Sequence, residues 1–293
     1  MIRNTIKTLY RLVPDFLKLA YFHTLGHRRP WSGGYITHKF RYIGKALRNN
    51  AILKNFADGS PLPGGYGYSI DERVVEYPWT LTRIPKGGGK LLDAGSALNY
   101  REVLDFPSLR EKKITIANLN KEVNDFSNRG IEYVYADMRA LPLKDSEFDV
   151  VTCISTLEHV GLDNVAYTGD AAHHEAKTGD FEKALLEMKR VLAPGGKLLL
   201  TVPFGKYKNF GWFQQFGIAQ AEQTVSAFSP SRFTASYFGY TKDGWNITDK
   251  EAAARAEYFP VFETKYFNPK SSKDFDADMA AGARAVFCVE LVK

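Results

Sequence analysis

The chain has 293 residues, 44% of them hydrophobic and 25% charged, with two cysteines and a formal net charge of +6. Such a composition excludes a disulfide scaffold, a low-complexity fibre and a disordered chain, and it leaves room for one large domain or two modest ones. The basic excess permits an anionic partner. No basic stripe, zinc signature or helix-turn-helix pattern marks a nucleic-acid reader, and the widely spaced Cys153 and Cys288 fit a reducing, cytoplasmic setting.

Residues 1–29 place Ile2, Ile6, Leu9, Val13, Phe16, Leu17 and Ala20 at steps of three and four, with Arg3, Lys7, Arg11 and Lys18 between them. This is a basic amphipathic pattern. Pro14 predicts a kink or two short helices, with the proline near the first turn of the second. No apolar run reaches signal-peptide or membrane-spanning form. Packing on the domain, packing on a second copy and peripheral contact with the inner face of a membrane all remain open for this segment.

From His27 to Tyr68 glycine and proline clusters predict loops around one short helix near 39–55. Asp71 to Trp79 begins a helical approach. Lys90-Leu91-Leu92-Asp93-Ala94-Gly95-Ser96 then reads as a buried strand running into a small-residue turn, where backbone and ligand come close at the tip of a parallel sheet. Ala97 and Asn99 interrupt the glycine run.

Further strands are predicted at Ile114–Ala117, Ile131–Ala136, Phe148–Ile154 and Lys197–Pro203, with an amphipathic helix at Phe181–Leu192 stopped by Ala193-Pro194-Gly195-Gly196. Beyond Phe204 the composition turns aromatic, and an insertion is expected near 204–230. Arg232–Tyr240 and Arg284–Leu291 are the sixth and seventh strands.

Ala136-Asp137-Met138, Phe148-Asp149-Val150-Val151, Leu157-Glu158-His159-Val160 and Arg190-Val191-Leu192-Ala193-Pro194-Gly195-Gly196 stand in an order and spacing that resembles class I S-adenosylmethionine-dependent methyltransferases of the type 11 kind. The similarity covers roughly residues 70–205. The resemblance implies an α/β, Rossmann-like, mostly parallel seven-stranded sheet with an antiparallel last strand and helices on both faces. It divides the chain into a helical and loop extension over 1–70, serving as lid, packing or membrane-surface segment, and a methyltransferase domain over 71–293. The stretch from Ile154 to Asp180 is similar to a bacterial subgroup associated with surface glycans.

The implied cofactor is S-adenosylmethionine, held by Asp93, Ala94, Gly95, Ser96, Asn118, Asn120, Asp137, Met138, Ser155 and Leu157. An acid normally ends the second strand and accepts from both ribose hydroxyls; here Asn118 or Asn120 stands there, without charge assistance. Asp137 is expected to accept from the adenine amino group. Methyl transfer needs alignment and removal of a proton, so His159, with Glu158 beside it, is the candidate base, against a role in the cofactor shell. No metal is expected, and the loop 161–179, with Asp163, Asp170, His173, His174 and Glu175, is read as a solvated lid or acceptor loop. The expected reaction is O-methylation of a small-molecule or glycan hydroxyl in surface-polysaccharide or natural-product biosynthesis. A SAM-binding module without turnover and a lipid or quinone-like acceptor are the alternatives, and a homodimer is allowed.

Overall fold

Leu91 and Leu92 leave the backbone in opposite directions, and each finds its own hydrophobic layer. The computed structural model describes residues 13–293. Its strands are β1 (Lys90–Ala94), β2 (Lys113–Asn118), β3 (Glu132–Tyr135), β4 (Phe148–Ile154), β5 (Leu192–Pro203), β6 (Lys208–Asn209), β7 (Gln214–Gln215), β8 (Arg232–Thr241), β9 (Gly244–Thr248) and β10 (Ala285–Val292). The longer helices are α1 (Asp15–His23), α2 (Tyr35–Ala46), α3 (Asn50–Asp58), α4 (Arg73–Leu81), α5 (Phe181–Val191) and α6 (Ile218–Phe228).

One sheet runs in the order β3-β2-β1-β4-β5-β10-β8-β9. The first five of these are parallel, and β10 is antiparallel to both β5 and β8. Near-continuous apolar strands are what a sheet covered on both faces requires. Leu91, Val150, Leu199 and Cys288 pack with α2, α3 and α4, while Leu92, Val151, Leu200 and Phe287 pack with α5 and α6. Cys153 and Cys288 are buried free thiols.

Three details depart from the sequence reading. The sheet has eight strands, because a turn at Lys242–Asp243 returns the chain along β8 as the edge strand β9. The helix expected near 39–55 is two helices, since Asn49 leaves helical geometry and its side chain caps α3 by accepting from Ala51 and Ile52 N–H. Strand β5 starts at Leu192, so Pro194-Gly195-Gly196 sits inside it at a register shift against β4.

Pro14 immediately precedes α1, and its carbonyl accepts from Leu17 and Lys18. The first half of the expected N-terminal amphipathic pattern lies outside the described residues. The predicted aromatic insertion resolves into the β6–β7 hairpin followed by α6, which packs on α5 and β10 as a crossover helix. None of the helices among the described residues is long and apolar enough to cross a membrane.

Candidate functional site

Asp93 is the penultimate residue of β1, and its carboxylate is fully buried. It accepts from Leu98 N–H at 2.7 Å and from the Thr152 hydroxyl at 3.0 Å. Burial pushes its pKa up to about 7, against the pull of those two donors. Asp93 thus braces the turn 95–99 from behind. Gly95 has φ of +109°, and a Cβ there would lie 2.2 Å from the Thr156 hydroxyl, so this turn admits no side chain at 95. The Ser96 hydroxyl oxygen is buried without a protein partner.

The ends of β1 to β4 open on a cavity of about 440 Å³, lined in part by Arg73, Gly95, Asn118, Glu122, Asp137 and His159. Asn118 spends its side chain locally: Nδ2 donates to the Glu122 carboxylate and the Asn120 carbonyl, and Oδ1 accepts from Leu119 N–H. Asn120 in turn donates to the Tyr167 carbonyl at 3.1 Å, tying the end of β2 to the loop 161–179.

Asp137 and Met138 also line the cavity. Arg139 grips Asp137 through Nε and Nη2, and its other contacts reach Glu175 at 2.7 Å and Asp180 at 2.7 Å. Burial alone would raise the Asp137 pKa, but the Arg139 bonds outweigh it and hold the carboxyl below its ordinary range. Arg139 therefore joins the end of β3, the loop and the start of α5.

At the end of β4, Ser155 and Thr201 both donate to Glu76 Oε1, at 2.6 and 2.7 Å, while Arg73 pairs with Glu76 Oε2. Leu157 lies in the core, and Glu158 is buried behind the cavity wall with Oε2 unpartnered and its pKa pushed well above the carboxylate range by burial. The His159 side chain keeps 21% of its surface open and lines the cavity. Its Nδ1 lies 2.9 Å from the Trp212 carbonyl, and burial lowers its pKa to about 4. Trp212 and Phe213 flank the ring, with centroids 5.3 and 6.0 Å away.

Of the expected residues, Gly95, Asn118, Asn120, Asp137, Met138, Ser155 and His159 come together around the cavity, joined by His173 and Glu175 of the loop. Asp93, Ala94, Ser96, Leu157 and Glu158 sit behind it. Asp163 bonds His174 at 3.0 Å and Asp170 caps Ala172 N–H, so these acids serve the loop itself. Among the described residues no group of three or more His, Cys, Asp or Glu is arranged to hold a metal ion. Sequence reasoning missed Arg73, Glu122 and Tyr167. Glu122, the first acid after β2, was the legible signal; Arg73 had none beyond its place on an amphipathic helix.

Residues 107–200 match the methyltransferase domain family. The matched segment, about a third of the chain, is similar to a methyltransferase domain. A 106-residue segment is 35% identical to the ubiquinone/menaquinone biosynthesis C-methyltransferase UbiE of Hahella chejuensis, covering 33% of this chain and 35% of that protein. The chain thus spans about a third of the length of that curated relative. Among solved structures, it is similar to the 1,6-didemethyltoxoflavin-N1-methyltransferase of Burkholderia thailandensis (14% identity, 85% of this chain and 88% of that one, TM-score 0.44). It is also similar to the [4+2]-cyclase SpnF (18% identity, 85% and 93% coverage, TM-score 0.45).

The cofactor of such a methyltransferase domain is S-adenosylmethionine, and the donor set fits it. Among the cavity-lining side chains Arg73 is a cation able to meet a carboxylate, and Glu122 and Asp137 are anionic acceptors able to meet hydroxyl or amino groups.

Proposed function

We propose that the protein transfers a methyl group from S-adenosylmethionine to a hydroxyl-bearing acceptor, with His159 taking the proton. The observation that carries this reading is the His159–Trp212 bond. A carbonyl oxygen only accepts, so Nδ1 must carry the ring hydrogen and Nε2 is left with its lone pair. With a pKa near 4 the imidazole stays neutral through the physiological range, which is the form a base requires.

S-adenosylmethionine, when bound, supplies a methyl activated on a sulfonium sulfur. The chain does the rest. Arg73, Glu122 and Asp137 hold and orient, Arg139 and Asn120 fasten the loop 161–179 over the cavity, and His159 Nε2 accepts the proton released as the acceptor oxygen is methylated.

The low basicity of His159 bears on the acceptor. A proton moves more readily to such a base from a phenol or quinol, with a pKa near about 10, than from a much less acidic sugar hydroxyl. The rings of Trp212, Phe213, Phe210 and Tyr258 pack on one another beside His159 without lining the cavity, so they do not choose the acceptor. Together with the quinone-pathway relative, the low basicity of His159 favours a phenol or quinol-like acceptor over the glycan hydroxyl expected from the sequence. The quinol reading also admits methylation at ring carbon, since loss of the hydroxyl proton makes the adjacent carbon nucleophilic.

Incubating the protein with S-adenosylmethionine and matched phenolic, quinol and sugar acceptors, then reading the gain of one methyl by mass and its attachment by NMR, tests this. Methylated phenol or quinol is expected. Cofactor binding without transfer to any class would make the protein a binding module instead.

A further inference from the structure

Helix α1 wears its apolar side outward. Phe16 is 68% exposed and Leu17 49%, Ala20 on the same arc is exposed, and Leu25 just beyond is 72% exposed, while Phe22 alone in the helix is fully buried. Ile36, at the start of α2, adds another 48% exposed side chain, and between the two helices a groove of about 570 Å³ is lined by Phe16, Leu19, Ile36, Phe40, Tyr100 and Phe126. A water-facing helix normally turns such residues inward.

Charge singles out the same region. Residues 1–48 contain ten Lys and Arg against the single acid Asp15, so the whole basic excess of the chain resides there and the remainder is net acidic. The groove itself is bordered by Arg41 and Arg101 and by Asp15 and Glu102, so the basic excess lies in the segment around it. An exposed apolar stripe within a strongly basic segment is the combination that inserts shallowly between anionic lipid headgroups.

We propose that the α1 face docks on an anionic membrane surface. Its position bears on the reaction, a point that rests on the methyltransferase reading. The segment after β2 contributes Lys121, Glu122 and Val123 to the cofactor cavity and Asn124 and Phe126 to the groove, so the two openings are neighbours along one stretch of chain. A docked protein presents the cavity beside the lipid surface, where an amphiphilic acceptor with a hydroxylated ring resides.

The test uses the full chain and vesicles of equimolar phosphatidylglycerol and phosphatidylcholine, with pure phosphatidylcholine as the control. Sedimentation with the anionic vesicles alone, and release as salt is raised, is expected. The triple variant Phe16→Ser, Leu17→Ser, Leu25→Ser should bind vesicles about tenfold or more weaker, with its melting temperature and calorimetric S-adenosylmethionine affinity unchanged. A full chain that never sediments overturns the proposal, as does a triple variant that binds as well as the parent. Light scattering that shows a dimer broken by the triple variant, with no vesicle binding, assigns the face to a second copy and overturns it too. Loss of cofactor binding by the parent would instead sink the methyltransferase reading and leave the vesicle result standing.

Discussion

The Trp212 carbonyl accepts from His159 Nδ1 at 2.9 Å, and this bond decides which ring nitrogen is basic. Trp212 sits in the turn of the β6–β7 hairpin, so a short excursion after β5 sets the tautomer of a side chain at the end of β4. Buried Glu158 lies 3.9 Å from Nε2. Burial pushes the pKa of that carboxyl well above the usual carboxylate range, and burial likewise lowers the imidazole pKa to about 4.

His159→Ala should lower the single-turnover methyl-transfer rate by about 10²–10⁴-fold at saturating cofactor, with cofactor affinity nearly unchanged. Because the pKa is about 4, the rate of the parent should be flat from neutral pH down to mildly acid pH, without the break near 6.5 that a free imidazole would give. Full recovery of the variant at saturating cofactor would move His159 to the cofactor shell.

Glu122→Gln should weaken S-adenosylmethionine binding by about 1–3 kcal/mol, since a neutral amide replaces a charged acceptor at the cavity. Asn118→Asp reads differently in the structure than in the sequence. A carboxylate there would face Glu122 in place of the amide that now donates to it, so calorimetry should find no gain in affinity and a loss at low salt.

Arg139→Ala removes the cation shared by Asp137, Glu175 and Asp180. Amide exchange across 163–176 should speed up, and the KM for S-adenosylmethionine should rise more than kcat falls. Unaltered exchange would mean that Asn120 and Tyr167 hold the loop by themselves.

Stability of the ligand-free protein should decline as pH rises from about 6.5 to 8.5. Burial raises Glu72 to about 8 and Asp93 to about 7, so the folded state keeps protons that the unfolded chain has already released. Their stabilisation is complete below the ordinary carboxylate range and disappears as pH climbs through the folded values. His38 and His159, both lowered to about 4, act oppositely, but only as pH falls below 6.5. Glu72→Gln should remove a loss on the order of 1–2 kcal/mol across that window, read as a flatter plot of melting temperature against pH.

The sequence by itself determined the parallel sheet, the succession of its first five strands along the chain, the glycine turn after β1 and the acid after β3. Each of these is written in local terms: apolar runs bounded by turns, and small residues where backbone must approach a ligand. It also marked His159, because the residues after β4 necessarily lie at the carboxyl end of the sheet. Only the tertiary structure decided that Asn118 is spent on Glu122, that Arg73 enters the cavity from α4, and that a hairpin carbonyl fixes the His159 tautomer. Those facts join segments whose meeting depends on how side chains divide a limited number of hydrogen bonds after the chain has packed. The same holds for the outward apolar face of α1. Its residues repeat at a helical period that predicts a buried stripe, and only the placement of Phe22, α2 and the groove shows which side faces water.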